Sequence, residues 1–200
     1  SQTFSKRKAR VKEELPKMAA ELLGIYAARK AHQGYAYTPP DAMYRQFEAD
    51  FEFEETPDQA KAIEDVLKDM QAPRPMDRLV CGDVGYGKTE VALRAAFKAV
   101  EDKKQVAILV PTTVLAAQHR RTFVRRLADY PITVEMVSRM RDAGQIKETL
   151  QRAREGRVDV VIGTHRLLSA DVSFKDLGLV VVDEEQRFGV KHKEQLKKLR

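Results

Sequence analysis

The sequence predicts an α/β fold with a central parallel sheet flanked by helices and preceded by a helical segment, and three observations predict it. After Arg78, short apolar runs without polar alternation recur between helix-like patterns of about ten residues or more, as strands buried on both faces do. The stretch Leu79 to Glu90, LVCGDVGYGKTE, leads one such run through a glycine-rich turn into the periodic helix VALRAAFKAV. Near the other end, LGLVVVDEEQ carries an apolar run into adjacent acids.

Composition sets the frame. A chain of 200 residues suffices for one large α/β domain or a medium domain with an appendage. Its 43% hydrophobic and 33% charged residues describe an ordinary globular chain. No apolar run reaches the length of a membrane span and Ser1 to Arg10 is too polar for a signal peptide, so a cytoplasmic protein without a membrane partner is expected. Cys81 is the only cysteine, which excludes intrachain disulfides and cysteine-rich zinc sites; within its apolar run it is expected to be a small buried hydrophobe. The net charge of +6 gathers at the two ends, in Lys6, Arg7, Lys8, Arg10 and Lys12 and in Arg187, Lys191, Lys193, Lys197, Lys198 and Arg200. Such clusters suit a polyanion and read equally as solvated helix faces.

The first element is a helix over about Lys6 to Gln33, with Val11, Leu15, Met18, Leu22, Ile25 and Ala28 on one stripe. Pro16 kinks it or starts it afresh. Gly34 and Thr38-Pro39-Pro40 then mark a linker. Tyr44, Phe47, Phe51 and Phe53 follow in an acidic stretch, as aromatics able to pack on a domain surface. Thr56-Pro57-Asp58 opens a helix whose buried face is Ile63, Val66, Leu67 and Met70, ended by Pro73 to Pro75. The alternating region offers strands at Arg78 to Cys81, Val106 to Val110, Thr133 to Val137, Val158 to Ile162 and Leu179 to Val182. Helices are expected at Lys88 to Val100, Thr113 to Leu127 and Asp142 to Glu155, with a polar one after Val190. The strand ends then share one edge, where ligands bind in folds of this kind.

The chemistry falls on that edge. Gly82, Asp83, Val84, Gly85, Tyr86, Gly87, Lys88 and Thr89 satisfy the phosphate-loop pattern G-x-x-x-x-G-K-[ST] between a strand and a helix. Glycines let the backbone N–H groups close on a phosphate, and the helix start adds its positive end. Lys88 would reach the β- and γ-phosphates of ATP, and the Thr89 hydroxyl would hold Mg²⁺. Asp183, where an apolar strand ends, would hold the same Mg²⁺ directly or through water, and Glu184 would take the proton of the attacking water. Three other strand ends carry Thr112 and Thr113 (before a helix containing Gln118 and His119), Ser138 and Arg139, and Thr164 and His165. Hydroxyls, helix-start amides and an arginine suit a nucleic-acid backbone together, while singly each also reads as a helix cap.

The order TPDQ, GDVGYGKT, PTTVLAAQH, IGTHRLL and DEEQRFG resembles the first RecA-like lobe of superfamily 2 helicases and translocases. More narrowly, GDVGYGKTEVALRAAF, GTHRLLSADVSFKDLGLVVVDEEQRFGVKHKE and AAELLGIYA resemble the bacterial transcription-repair coupling factors (Mfd), whose nearest kin are the RecG branch-migration helicases. The resemblance implies an adenine-reading role for Gln59, and for Gln186 a relay of nucleotide state. It implies a double-stranded DNA track, gripped around Thr112, Thr113, Ser138, Arg139, Thr164 and His165. It also implies RNA polymerase and excision-repair proteins as partners through parts outside this chain. Residues 1–50 would then be a helical linker and 51–200 the motor lobe. The family's Thr-Ala-Thr-Pro-like coupling motif and second lobe, with its arginine fingers, lie beyond Arg200, so the chain alone is expected to bind nucleotide weakly and hydrolyse it poorly. The rival readings are a RecG-like remodeller of branched DNA, a non-catalytic docking or autoinhibitory module resting on Tyr44 to Glu55, and, more remotely, a metabolic P-loop kinase.

Overall fold

Four parallel strands form the centre of the computed structural model, which describes residues 33–82, 87–139 and 141–188. They are β1 (Gln105–Leu109), β2 (Val134–Val137), β3 (Val160–Gly163) and β4 (Leu177–Val182), in the order β2-β3-β1-β4. Five helices accompany them among the described residues: α1 (Ala42–Ala49), α2 (Pro57–Met70), α3 (Lys88–Glu101), α4 (Thr113–Arg126) and α5 (Ala143–Arg154). Turns of 3₁₀ helix follow β3 at His165–Leu168 and β4 at Glu185–Arg187. The expected helix over Lys6 to Gln33 lies outside the described residues but for its final position, and the polar one after Val190 lies wholly outside them.

Local chemistry explains the helix starts. Asp41, Thr56, Thr112 and Asp142 each cap a helix by accepting a backbone N–H, and Thr56 and Gln59 complete a reciprocal capping box with Pro57 as the first helical residue. The strands alternate their side chains between two cores. Val106, Ile108, Val110, Val160 and Ile162 face a large cluster with α2 and α3, while Leu109, Val137 and Val161 face a second one with Leu150, Leu167 and Phe188. Burying each such side chain contributes about 1.5–3 kcal/mol.

The segment before α2 packs into the larger core. Phe47 stacks on Phe97 of α3 with centroids 4.1 Å apart, and Tyr130 meets both rings edge-on. Around them lies a buried ionic cluster: Arg94, 1% exposed, donates to Glu90, Glu48 and Glu55, and Arg126 donates to Glu90 while covering the Phe47 ring. Lower on α3, buried Lys98 donates to Glu101, Asp102 and the Thr38 hydroxyl, and Thr38 returns its amide to Asp102. Tyr44 and Phe47 are buried and Phe51 is partly so, whereas Phe53 remains 69% exposed.

One expected strand is absent. Residues 78–81 form no ladder, Leu79 is 77% exposed, and Cys81 is exposed rather than buried. Apolar composition favours burial, but an extended segment becomes a strand only beside a partner for its N–H and C=O groups. Here Arg78 instead binds Asp69 and Asp65 of α2, and the outer edge of β4 has no neighbour among the described residues.

Removing Arg94 leaves Glu90 in the core with Arg126 alone. Arg94→Ala is expected to cost about 3 kcal/mol in urea unfolding, whereas Glu48→Ala, at the half-exposed end of the cluster, should cost less than about 1 kcal/mol. Burial pushes the Asp102 carboxyl up, but the Thr38 hydroxyl and amide and Lys98 outweigh it and hold Asp102 below the usual carboxylate range. Its contribution to stability is therefore complete above about pH 4 and is lost as pH falls through its lowered native value. Acid unfolding of Asp102→Asn should show a shallower loss than the parent below about pH 4.

Candidate functional site

The four strands end level with one another. Val137 and Leu109 both stand beside Gly163, and Leu109 beside Val182, so the residues that follow emerge along a single edge. The ladder extends one step further: the Val110 amide donates to Gly163 and the Asp183 amide to Leu109. This brings Asp183, Thr112, Arg139 and His165 to one edge, as the sequence implies.

The phosphate-loop side is framed by Gly82 and Gly87, with Asp83, Val84, Gly85 and Tyr86 outside the described residues. Gly87 caps α3 in the left-handed region, with φ of 70°, and contributes no side chain. A Cβ there would meet the Gln59 amide nitrogen at 2.4 Å. That amide donates to the Gly87 carbonyl, so the buried Gln59 both caps α2 and holds the end of the loop. Lys88 donates back to the Gly82 carbonyl and thereby spans the loop. Glu90, also in the first turn of α3, is turned into the core toward Arg94 and Arg126. The Glu90 carboxylate is therefore not spent on the start of α3, where a helix N-terminus favours an anion.

Across from the loop, Asp183 Oδ2 lies 2.8 Å from His119 Nε2. That hydrogen bond holds the Asp183 carboxyl below the usual carboxylate range against the opposing effect of burial, helped by the Glu184 amide and the Lys88 charge. Lys88 and Asp183 thus share one electrostatic neighbourhood although they come from different elements. Glu184 takes a left-handed backbone, φ 52° and ψ 47°, at a cost of about 1 kcal/mol for a residue with a Cβ. Its Oε2, which is buried, pairs with Arg187 Nε at 2.6 Å without forming a hydrogen bond.

Thr89 and Asp183 are hard oxygen donors of the kind Mg²⁺ takes. No group of three metal-ligating side chains occurs among the described residues. Mg²⁺ held by one carboxylate and one hydroxyl would take its remaining positions from phosphate and water.

The other expected site residues divide. Thr112, Arg139 and His165 are exposed and Thr113 is partly so, while Ser138 and Thr164 are buried. Thr112 also caps α4 through its hydroxyl. Gln186 is exposed in the last 3₁₀ turn. Sequence reasoning assigned no role to His119. Its signal was the spacing Ala116, His119, Phe123, which puts the imidazole on the buried face of α4.

A family-wide profile described as DEAD/DEAH box helicase matches residues 56–200. The chain belongs to the DEAD/DEAH box helicase family. This helicase chain is 69% identical over 99% of its length to a "Transcription-repair-coupling factor" of Myxococcus xanthus, and 54% identical over 98% to one of Staphylococcus aureus. It spans 16% and 17% of the length of those curated relatives. A solved structure described as "Structure of RecG bound to three-way DNA junction" superposes with a TM-score of 0.77 at 37% identity, over 83% of this chain and 23% of that one. A hypothetical ATP-dependent RNA helicase from Sulfolobus tokodaii, at 18% identity and a TM-score of 0.61, shares the fold over 80% of this chain and 46% of its own. The parallel sheet with flanking helices is thus the RecA-like helicase fold. No helix among the described residues is long and apolar enough to cross a membrane.

Gly87→Ala combines backbone strain with a clash on Gln59. Equilibrium unfolding should show a loss of about 1–2 kcal/mol. Gln59→Ala in the same chain should relieve the clash but not the strain, giving a double-mutant cycle with clear coupling between the two positions.

Proposed function

We propose that this chain is the first motor lobe of an ATP-dependent double-stranded DNA translocase of the transcription-repair coupling type. What supports the reading most is that Lys88, closing the phosphate loop, acts on Asp183 at the end of a neighbouring strand. A triphosphate between them would meet the lysine, the helix-start amides and the Thr89 hydroxyl on one side and the acids on the other. Bound Mg²⁺ would supply charge neutralisation on the phosphate oxygens.

Each residue then has a task. Lys88 binds the β- and γ-phosphates, Thr89 and Asp183 hold the metal, and Glu184 orients the attacking water and accepts its proton. Gln59, whose amide is bonded to the Gly87 carbonyl, reads adenine. Thr112, Thr113, Arg139 and His165 grip the DNA backbone, while buried Ser138 and Thr164 support the strand ends behind them. Gln186, beside the acids, carries nucleotide state to the opposing lobe. Residues 1–50 connect upstream parts to the lobe at 51–200, and the end of that connector is built into the lobe through Tyr44 and Phe47.

In the full-length protein, alternate closing and opening of two lobes around ATP would move it along duplex DNA. A polymerase stalled ahead would be displaced and excision-repair proteins recruited. A second reading, a RecG-like remodeller of branched DNA, is favoured by the 37% identity to the junction-bound structure. The higher identities to the coupling factors weigh against it.

The test is Glu184→Gln in the full-length protein, with ATP binding and turnover measured separately. Binding should persist and turnover fall by at least about a hundredfold; unaltered hydrolysis removes Glu184 from the role of base.

A further inference from the structure

His119 makes the one hydrogen bond between a side chain of α4 and the acid that ends β4, across 64 residues of sequence. It is a buried side chain, 9% exposed, and its ring stands 6.4 Å from that of Phe123. An ionised carboxylate only accepts, so Nε2 carries the hydrogen and donates it to Asp183 Oδ2. The other ring nitrogen, Nδ1, is buried without a hydrogen-bond partner. A position that served packing alone would favour an apolar residue, like Ala116 and Phe123 on the same face. The imidazole is therefore held there for the bond it makes.

We propose that His119 is a positioning residue for the metal-binding acid: by fixing one oxygen of Asp183 it aims the other at the Mg²⁺ of a bound nucleotide. The inference rests on the nucleotide reading above. It adds a residue that touches neither nucleotide nor metal and acts through a carboxylate. The bond sets the rotamer of Asp183, whose backbone is already fixed by the ladder bond from its amide to Leu109. Partners that orient a metal ligand in this way usually change metal affinity about 10- to 100-fold when removed.

The experiment uses the full-length protein and a fluorescent, non-hydrolysable ATP analogue, titrated with Mg²⁺ and again in EDTA. His119→Gln can place its amide N–H near the position of Nε2, whereas His119→Asn, equally polar, is too short. For His119→Asn the Mg²⁺ concentration giving half-maximal binding should rise about tenfold, with affinity in EDTA unchanged, and for His119→Gln it should stay near the parent value. The proposal is overturned if the two variants behave alike, or if His119→Asn weakens binding equally with and without Mg²⁺. If the parent protein binds the analogue with no dependence on Mg²⁺, the nucleotide reading itself falls and this proposal falls with it.

Discussion

Val137, Gly163, Leu109 and Val182 stand side by side across the sheet, and a one-residue slip in any strand would exchange the two cores and move the following polar residue off the edge. The register is pinned from both faces. One cluster takes Val106, Ile108 and Ile162 and the other takes Leu109 and Val161, so no slipped pairing buries the same side chains. Because the strands run parallel, each contributes its carboxyl end to the same edge, which brings Asp183 and the polar residues after the other strands together.

The helix after the phosphate loop is the second constraint. Arg94 and Lys98 are almost wholly buried on α3 and bind acids from the chain before α2, from α3 itself and from the residues just after it. Such clusters stabilise little in net terms, but a missing partner leaves a charge in the core. They therefore fix how the preceding segment lies on α3. Phe47, stacked on Phe97 beneath Arg126, adds apolar burial to the same joint. Motion at residues 38–55 would therefore reach the helix that starts at Lys88.

The two halves of the candidate site are organised differently. The loop side is held at its backbone, with left-handed Gly87 and side chains bonded to main-chain carbonyls: the Gln59 amide to Gly87 and Lys88 to Gly82. The acid side is held by side chains, with His119 on Asp183 and Arg187 beside Glu184. Both hold the chemistry apart from the packing that supports it.

Sequence alone determined the alternation of helix and strand, the phosphate-loop pattern and the acids closing an apolar strand, because those signals are local: periodicity, glycine spacing and chain order carry them. It also placed most helix starts, since caps such as Thr56 and Thr112 act within a single turn. Tertiary structure decided what depends on distant partners. It left residues 78–81 outside the sheet and Cys81 exposed, because a strand exists only where a second backbone receives it. It buried Arg94 and Lys98 among acids, and Ser138 and Thr164 behind the edge. It also set His119 against Asp183, a pairing that no spacing in the chain encodes, because the two residues meet only once β4 has docked beside β1 and α4 has packed on the sheet.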